Sequence, residues 1–470
     1  AETQGTRMLA LASLAATALT VFSPQGDQNP GDAAPAAQAK PALLDAAAQE
    51  SLRKKLQDLF ATQADYDAAD GVKDREKTGK ARDKAKEKFQ DEWNTRLKKG
   101  NLLGSMPDLR EIFFNCFEIK APKNQPGTAR KEQFDFGGDL KFDYSYLLPK
   151  GYKPAVPMPC IVMLPGGQKD AGAPWTESRE YLSACWGKTE QENSYIFHVA
   201  DVPENLTMDP VPDYSREGQE AFERRRIACV WGPLGKTMKT ANLDRRKLFL
   251  DCGRGNCAFG VRLASMFPDR FAGIVLRSPT AIEDIRLGSL FAMPVLAIQT
   301  AENKDLVETL KKQFEAVAPG LFTVIEAKDT YPFKASAGDI DAWMGKQSRN
   351  IAPAHVVIEP NHDQYNKAYW VKIDKANLLT TSTGDQKPRI EVTADRANNR
   401  IVVKAQGIEA FTLLLNDELV DLDKEFTVVV NDKATTELKT RDMREMQKRL
   451  LDRLDWEFLF PVAFSTSVAK

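Results

Sequence analysis

The sequence predicts an α/β fold: a mostly parallel sheet with helices on both faces, an N-terminal helical segment before it and a C-terminal β-rich extension after it. Three observations carry this. Between about Asp135 and Met344, short apolar runs alternate with amphipathic stretches, the pattern of strands buried on both faces and joined by crossover helices. From Leu43 to Lys99, apolar residues recur at helical spacing. After Trp370, helical patterning gives way to short strand-like runs split by polar turns.

Taken in order, "RMLALASLAATALTVF" (Arg7 to Phe22) is one basic residue followed by an apolar run, shorter than the roughly 20 residues of a membrane-spanning helix. It has the form of a secretory signal, with small-residue sites following in "AAPAAQA" (Ala33 to Ala39); the alternative is a buried N-terminal helix. Residues 1–23 are therefore expected to direct export to the periplasm or the medium, leaving no integral membrane span once removed. Residues 24–42, rich in Pro, Ala and Gly, read as a linker.

Residues 43–120 read as a helical region. "QESLRKKLQDLFATQADY" carries leucines and Phe60 on one face. "GVKDREKTGKARDKAKEKFQDEWNTRLKKG" mixes charges of both signs on nearly every face, which indicates a solvated helix rather than a nucleic-acid arm. The two segments are expected to form a hairpin. In residues 121–370 the strands are "LKFDYSYLLP", "PCIVMLPGG", "SYIFHVADVP", "KLFLDCGRG", "AGIVLRSP", "MPVLAIQT" and "LFTVIEA". The helices between them are "ESREYLSACWG", "NCAFGVRLASMF" and "KDLVETLKKQFEAV". Residues 371–470 add short strands, the amphipathic helix "TRDMREMQKRLLDRLD" and a closing strand in "EFLFPVAFSTSV".

Composition excludes some classes. The 470 residues are 42% hydrophobic and 28% charged, with a formal net charge of -1; there is no basic surplus to draw the chain to nucleic acid. None of the six cysteines stands in a CxxC pair or a zinc-ligand pattern, so no metal is expected, while disulfides and buried thiols both stay open. "GPLGKT" (Gly232 to Thr237) lacks the spacing of a phosphate-binding P-loop, and no cofactor is expected.

The informative stretch is "LFLDCGRGNCAFGVRLASMFPDRF" (Leu248 to Phe271): an apolar strand, a glycine-rich turn, then a helix ending near Pro268. This is the shape of a nucleophile elbow. "LDCGRGNCAFGVRLASMFPDRFAGIVLRSP" resembles the elbow, helix and next strand of α/β-hydrolases of the esterase and prolyl-oligopeptidase-like kind. "PCIVMLPGG" resembles their oxyanion strand and loop, and "MPVLAIQTAENKDLVETLKKQFEAV" the later strand that ends near the acidic triad member. The resemblance covers roughly Asp135 to Met344. The tail "LLLNDELVDLDKEFTVVVNDK" resembles an extension of exported hydrolase-like proteins of planctomycete-type bacteria.

The resemblance implies a serine at the elbow, yet the turn has none. In one register Cys252 takes the first glycine position, Arg254 the nucleophile and Asn256 the second glycine; in the other, Gly253 comes first and Gly255 stands at the nucleophile. A guanidinium stays protonated and offers only donors, so it cannot attack a carbonyl. The loop that the resemblance assigns to the base, "EAKDTYPFKASAGD" (Glu326 to Asp339), has no histidine. His198 falls on an upstream strand, and His355 and His362 fall near the β-rich extension; all three read as structural. Glu302, Asn303 and Asp305 share the acidic position. No residue is assigned as catalytic. Cys257, on the first helical turn, is the alternative nucleophile, its thiol expected to be acidified by the helix N-terminus and the nearby arginine, although it points off the apex and lacks a base. Cys252 reads as packed.

The altered turn still presents backbone N–H groups at a helix N-terminus. With Arg254 and Gly255 on one side and Gly166 and Gly167 opposite, it is a candidate pocket for a carboxylate or phosphate. The competing reading is that Arg254 pairs with a carboxylate of the protein and seals the site. Function is expected to follow one of two lines. The first is an exported, catalytically retired hydrolase-fold protein with a binding or scaffold role in the cell envelope, taking a small anionic ligand or a protein partner. The second is an active esterase or peptidase with a non-standard or relocated nucleophile.

Overall fold

The computed structural model describes residues 41–117, 119, 126–137, 140–167, 178–202, 216–280, 287–360, 366–376 and 388–468. All belong to the second of the chain's two units, Lys40–Lys470. The signal-like segment, nearly all of the linker and His362 lie outside the described residues.

The central sheet has eight strands: β1 (Arg130–Gly137), β2 (Leu140–Leu147), β3 (Met158–Leu164), β4 (Ile196–Ala200), β5 (Leu243–Gly253), β6 (Gly273–Arg277), β7 (Val295–Gln299) and β8 (Phe322–Glu326). Their spatial order is β1-β2-β4-β3-β5-β6-β7-β8. β1 and β2 pair antiparallel, β2 pairs antiparallel with β4, and every later pairing is parallel. This leading antiparallel pair, followed by a parallel sheet in which the third and fourth strands exchange places, is the α/β-hydrolase arrangement. The elbow strand β5 lies between β3 and β6, central as its unbroken apolar run requires.

Alternation along each strand feeds two apolar layers. Cys160, Val162 and Leu164 of β3 and Leu250 and Cys252 of β5 face one layer, shared with Val230 and Leu234 and with Val261, Leu310 and Phe314. Those residues come from α6 (Arg216–Thr240), α7 (Asn256–Met266) and α8 (Lys304–Val317). Ile161, Met163, Phe249 and Val275 face the other, against Tyr181, Leu182, Ile340 and Trp343 of α4 (Ser178–Cys185), which the short α5 (Lys188–Asn193) follows, and α9 (Ala337–Lys346). Helix α6 went unread in the sequence. It runs through "GPLGKT" with Pro233 inside it, so Gly232 to Thr237 form a helical segment rather than a phosphate-binding loop.

The N-terminal helices α1 (Ala46–Asp67) and α2 (Val72–Arg96) form the expected hairpin, with α3 (Met106–Phe113) beside α1. Asp45 caps α1, its carboxylate accepting from the N–H of Ala48 at 2.8 Å. Their apolar faces share a core with Met446 and Leu450 of α10 (Met443–Arg453) and with Trp456. The first helices and the last helix of the described chain thus share one cluster.

The β-rich extension is two sheets around one core. Four strands pair as β10-β11-β14-β17: β10 (Lys367–Ala368), β11 (Val371–Ala376), β14 (Ile408–Leu415) and β17 (Val462–Ser467). Five pair as β16-β15-β13-β12-β9: β9 (His355–Ile358), β12 (Arg389–Asp395), β13 (Arg400–Gln406), β15 (Phe426–Val430) and β16 (Lys433–Glu437). The extension therefore takes in β9 and β10, which precede Trp370, because Val356 and Ile358 pair with β12 and bury in its core.

Candidate functional site at the elbow

Strand β5 delivers the elbow at the carboxyl edge of the sheet, where doubly wound α/β folds place ligands. Arg254 sits at the apex with φ 45°, a left-handed conformation that costs a side-chain-bearing residue about 1 kcal/mol. Gly255 has an ordinary helical φ of -57°. The strained position is the one a nucleophile takes in an elbow, so the backbone selects the register with Arg254 at the apex. Its N–H donates to the carbonyl of Arg277 at 2.8 Å, and its carbonyl accepts from the N–H of Cys257 at 2.9 Å. Asn256 is buried, and its side-chain amide donates to the Pro165 carbonyl at 2.5 Å, tying the first turn of α7 to the loop after β3.

The guanidinium carbon of Arg254 lies 4.3 Å from the centre of the Tyr331 ring, a cation–π contact. Tyr331 comes from the loop after β8, where the hydrolase resemblance expects the histidine. Its hydroxyl and that of Tyr181 are both buried, and burial pushes both phenols above their ordinary range. Both hydroxyls converge on Gly253. A methyl group at Gly253 would stand 2.6 Å from the Tyr181 hydroxyl and 2.8 Å from the N–H nitrogen of Gly166; one at Gly166 would stand 2.5 Å from the Gly253 carbonyl oxygen. The loop and elbow backbones therefore touch. Gly166 is buried in this contact, while Gly167 is half-buried and Gly255 is exposed.

Beneath the apex lies a fully buried ion pair. Arg277 donates through Nε to Asp251 Oδ1 at 2.7 Å and through Nη2 to Oδ2 at 2.9 Å. Trp186 Nε1 donates to Oδ2 at 3.0 Å, and Arg277 Nη1 donates to the Pro332 carbonyl at 2.6 Å. Burial alone would lower the Arg277 pKa, but the Asp251 charge and its hydrogen bonds hold it above the usual arginine range. The carboxylate of the elbow strand thus goes to Arg277 rather than to Arg254.

Cys257 departs from expectation. It is fully buried, its thiol lies 3.2 Å from the Cys252 carbonyl, and burial raises its pKa well above normal; desolvation outweighs the helix N-terminus and the arginine. Cys252 is packed as expected, its thiol likewise raised by burial. All six cysteines are buried and unpaired.

The remaining triad positions hold no acid–base pair among the described residues. After β7, the buried residue is the amide Asn303, whose Oδ1 accepts from the N–H of Thr300 at 2.7 Å, while Glu302 and Asp305 are exposed. Burial pushes His198 down to about 3; its Nδ1 lies 3.1 Å from Thr237 Oγ1. His355, on β9, lies 3.1 Å from Thr393 Oγ1 and is also lowered by burial. Asp417, Asp421 and Asp423 cluster in the extension, but Arg441 donates to Asp417 and Asp423, so they read as an ion-pair hub.

Sequence reasoning missed Asp251, Arg277, Tyr181, Trp186 and Tyr331. A signal for the first two existed: one acid and one base interrupt otherwise apolar runs, "LFLDCG" and "AGIVLRSP", on strands that prove adjacent. The tyrosines had no such signal.

No family model and no curated protein matches the chain. Among solved structures, a thermostable esterase is similar at 16% identity, covering 47% of this chain and 63% of its own, with a TM-score of 0.30. An S-formylglutathione hydrolase from Agrobacterium tumefaciens is similar at 12% identity, covering 48% and 99%, with a TM-score of 0.35. A dienelactone hydrolase from Anabaena variabilis is similar at 14%, covering 48% and 100%, with a TM-score of 0.31. The chain spans less than two thirds of the length of the thermostable esterase. The fold assignment stands on strand order and pairing. No helix among the described residues is long and apolar enough to cross a membrane.

Proposed function

We propose that this protein is a catalytically retired α/β-hydrolase-fold protein, exported and kept for a binding or scaffold role in the cell envelope. One observation carries the reading: Arg254 at the strained apex is stacked on Tyr331, so a fixed cation and an aromatic ring stand where the fold would place a nucleophile and its base. Nucleophile, base and oxyanion hole act as a unit, and losing the first two removes most of the rate enhancement. The exposed Gly255 and half-buried Arg254 and Gly167 leave the rim of the elbow as the place for a small carboxylate or phosphate. Gly166, committed to Gly253, supports the rim rather than lining it. Short acyl esters should react with the protein at the rate of buffer, and Arg254→Ser alone should not change that; turnover abolished by a single substitution overturns the reading. Export rests on residues 7–22, and mass spectrometry of native protein should find an N-terminus between about Ser23 and Lys40. An intact segment on soluble native protein would contradict it.

The second reading, an active hydrolase with a relocated nucleophile, is favoured by Ser278. This residue is half-buried, has φ 56°, and follows Arg277 at the carboxyl end of β6, beside the elbow. Ester turnover lost in Ser278→Ala would establish it.

A further inference from the structure

A groove of about 330 Å³ opens between the four-stranded sheet of the extension and the end of α10. Its walls carry Lys367, Lys372, Arg449 and Arg453 against one carboxylate, Asp452, and Val371, Leu414 and Phe458 give it an apolar lining. The cations are unequally satisfied. Lys372 is paired with Asp374 at 2.6 Å. Arg449 donates to the Phe460 carbonyl at 3.0 Å and reaches the exposed Glu445 only at 3.4 Å. Arg453, with 7% of its side chain exposed, pairs with Asp269 at 2.6 Å and lies over the Phe458 ring at 4.1 Å. Its Nε is buried with no hydrogen-bond partner among the described residues. Behind it, Arg270 donates to the Arg453 carbonyl at 3.1 Å, adding a second, half-buried guanidinium beside Asp269. No described residue pairs with Lys367. Desolvation of its ammonium against the groove wall, then the charges of Arg453 and Arg270, lower the pKa of this exposed lysine, outweighing the opposing effect of Asp269.

We propose that this groove binds a small soluble phosphate monoester with an apolar body. Lys367 and Arg449 donate to the phosphate oxygens, Arg453 adds charge from the floor, and Val371, Leu414 and Phe458 hold the organic part. A phosphate monoester, at about -1.5 to -2 charge near neutral pH, answers several cations better than a single carboxylate does, and arginine and lysine are the usual phosphate donors.

Calorimetry at low salt would use phenyl phosphate, inorganic phosphate and benzoate. Phenyl phosphate should bind tightest. Lys367→Ala, at an exposed position, should weaken it by about tenfold or more, with Arg449→Gln acting in the same direction. Lys77→Ala, on the exposed face of α2, should leave it unchanged, which ties the loss to this groove. Absence of phenyl phosphate binding, equal binding by Lys367→Ala and wild type, or benzoate binding as tightly would each overturn the proposal. So would binding to phosphatidic-acid vesicles that phenyl phosphate does not compete away, since that would assign the groove to a lipid headgroup.

Discussion

Arg254 is held by two opposing effects of similar size. Its left-handed φ costs about 1 kcal/mol relative to glycine, and its stacking on Tyr331 returns about 0.5–1 kcal/mol at a half-exposed site. Arg254→Gly removes both and should leave stability within about 1 kcal/mol of wild type. Arg254→Ala keeps the strain and loses the ring contact, and should be destabilised by about 0.5–1 kcal/mol; urea unfolding of the two variants checks the order. His198 makes a pH-dependent contribution. Its folded pKa of about 3 lies below the ordinary 6.5, so the fold favours the neutral ring. That contribution is complete above about pH 6.5 and is lost as pH falls toward 3. The urea midpoint should drop between pH 7 and pH 4.5 by less in His198→Gln than in wild type. An equal drop would assign the acid sensitivity to other groups.

At the scale of elements, helix α7 sits directly on the strand that feeds the elbow. A methyl group at Gly260 would collide with the Cys252 sulfur, so Gly260→Ala should cost about 1–3 kcal/mol as overpacking. Cys252→Ala in the same chain should restore much of it, measured as a double-mutant cycle. The elements also show what could be read in advance. Strands β3 to β8 were legible because each is a short apolar run bounded by turns. The elbow was legible because Gly253, Arg254 and Gly255 break such a run just before a helix. Helix α6 was not, because Gly232, Pro233 and Gly235 interrupt it and its charges leave no clean stripe. Tyr331 could not be placed over Arg254, because that contact joins residues far apart in sequence and depends on how the loop after β8 folds back across the sheet edge.

Across the whole described chain, the hydrolase sheet is flanked by two clusters of its own chain. The N-terminal helices share a core with α10 and Trp456, and the extension closes around β9 and β12. Trp456 lies 6.1 Å from the Phe114 ring, and Arg245 lies over Trp456 at 5.3 Å, which ties the last helix to both α3 and the start of β5. The sheet edge is thus kept as a platform, and we propose that Arg254, Tyr331 and the Asp251–Arg277 pair stand there in place of catalytic groups. Reaction of native protein with a fluorophosphonate probe, read by intact mass and peptide mapping, tests this most directly. No stoichiometric adduct is expected at any serine, with wild type and Arg254→Ser alike. One full equivalent of label on a single serine, at Ser278 or elsewhere, would contradict it.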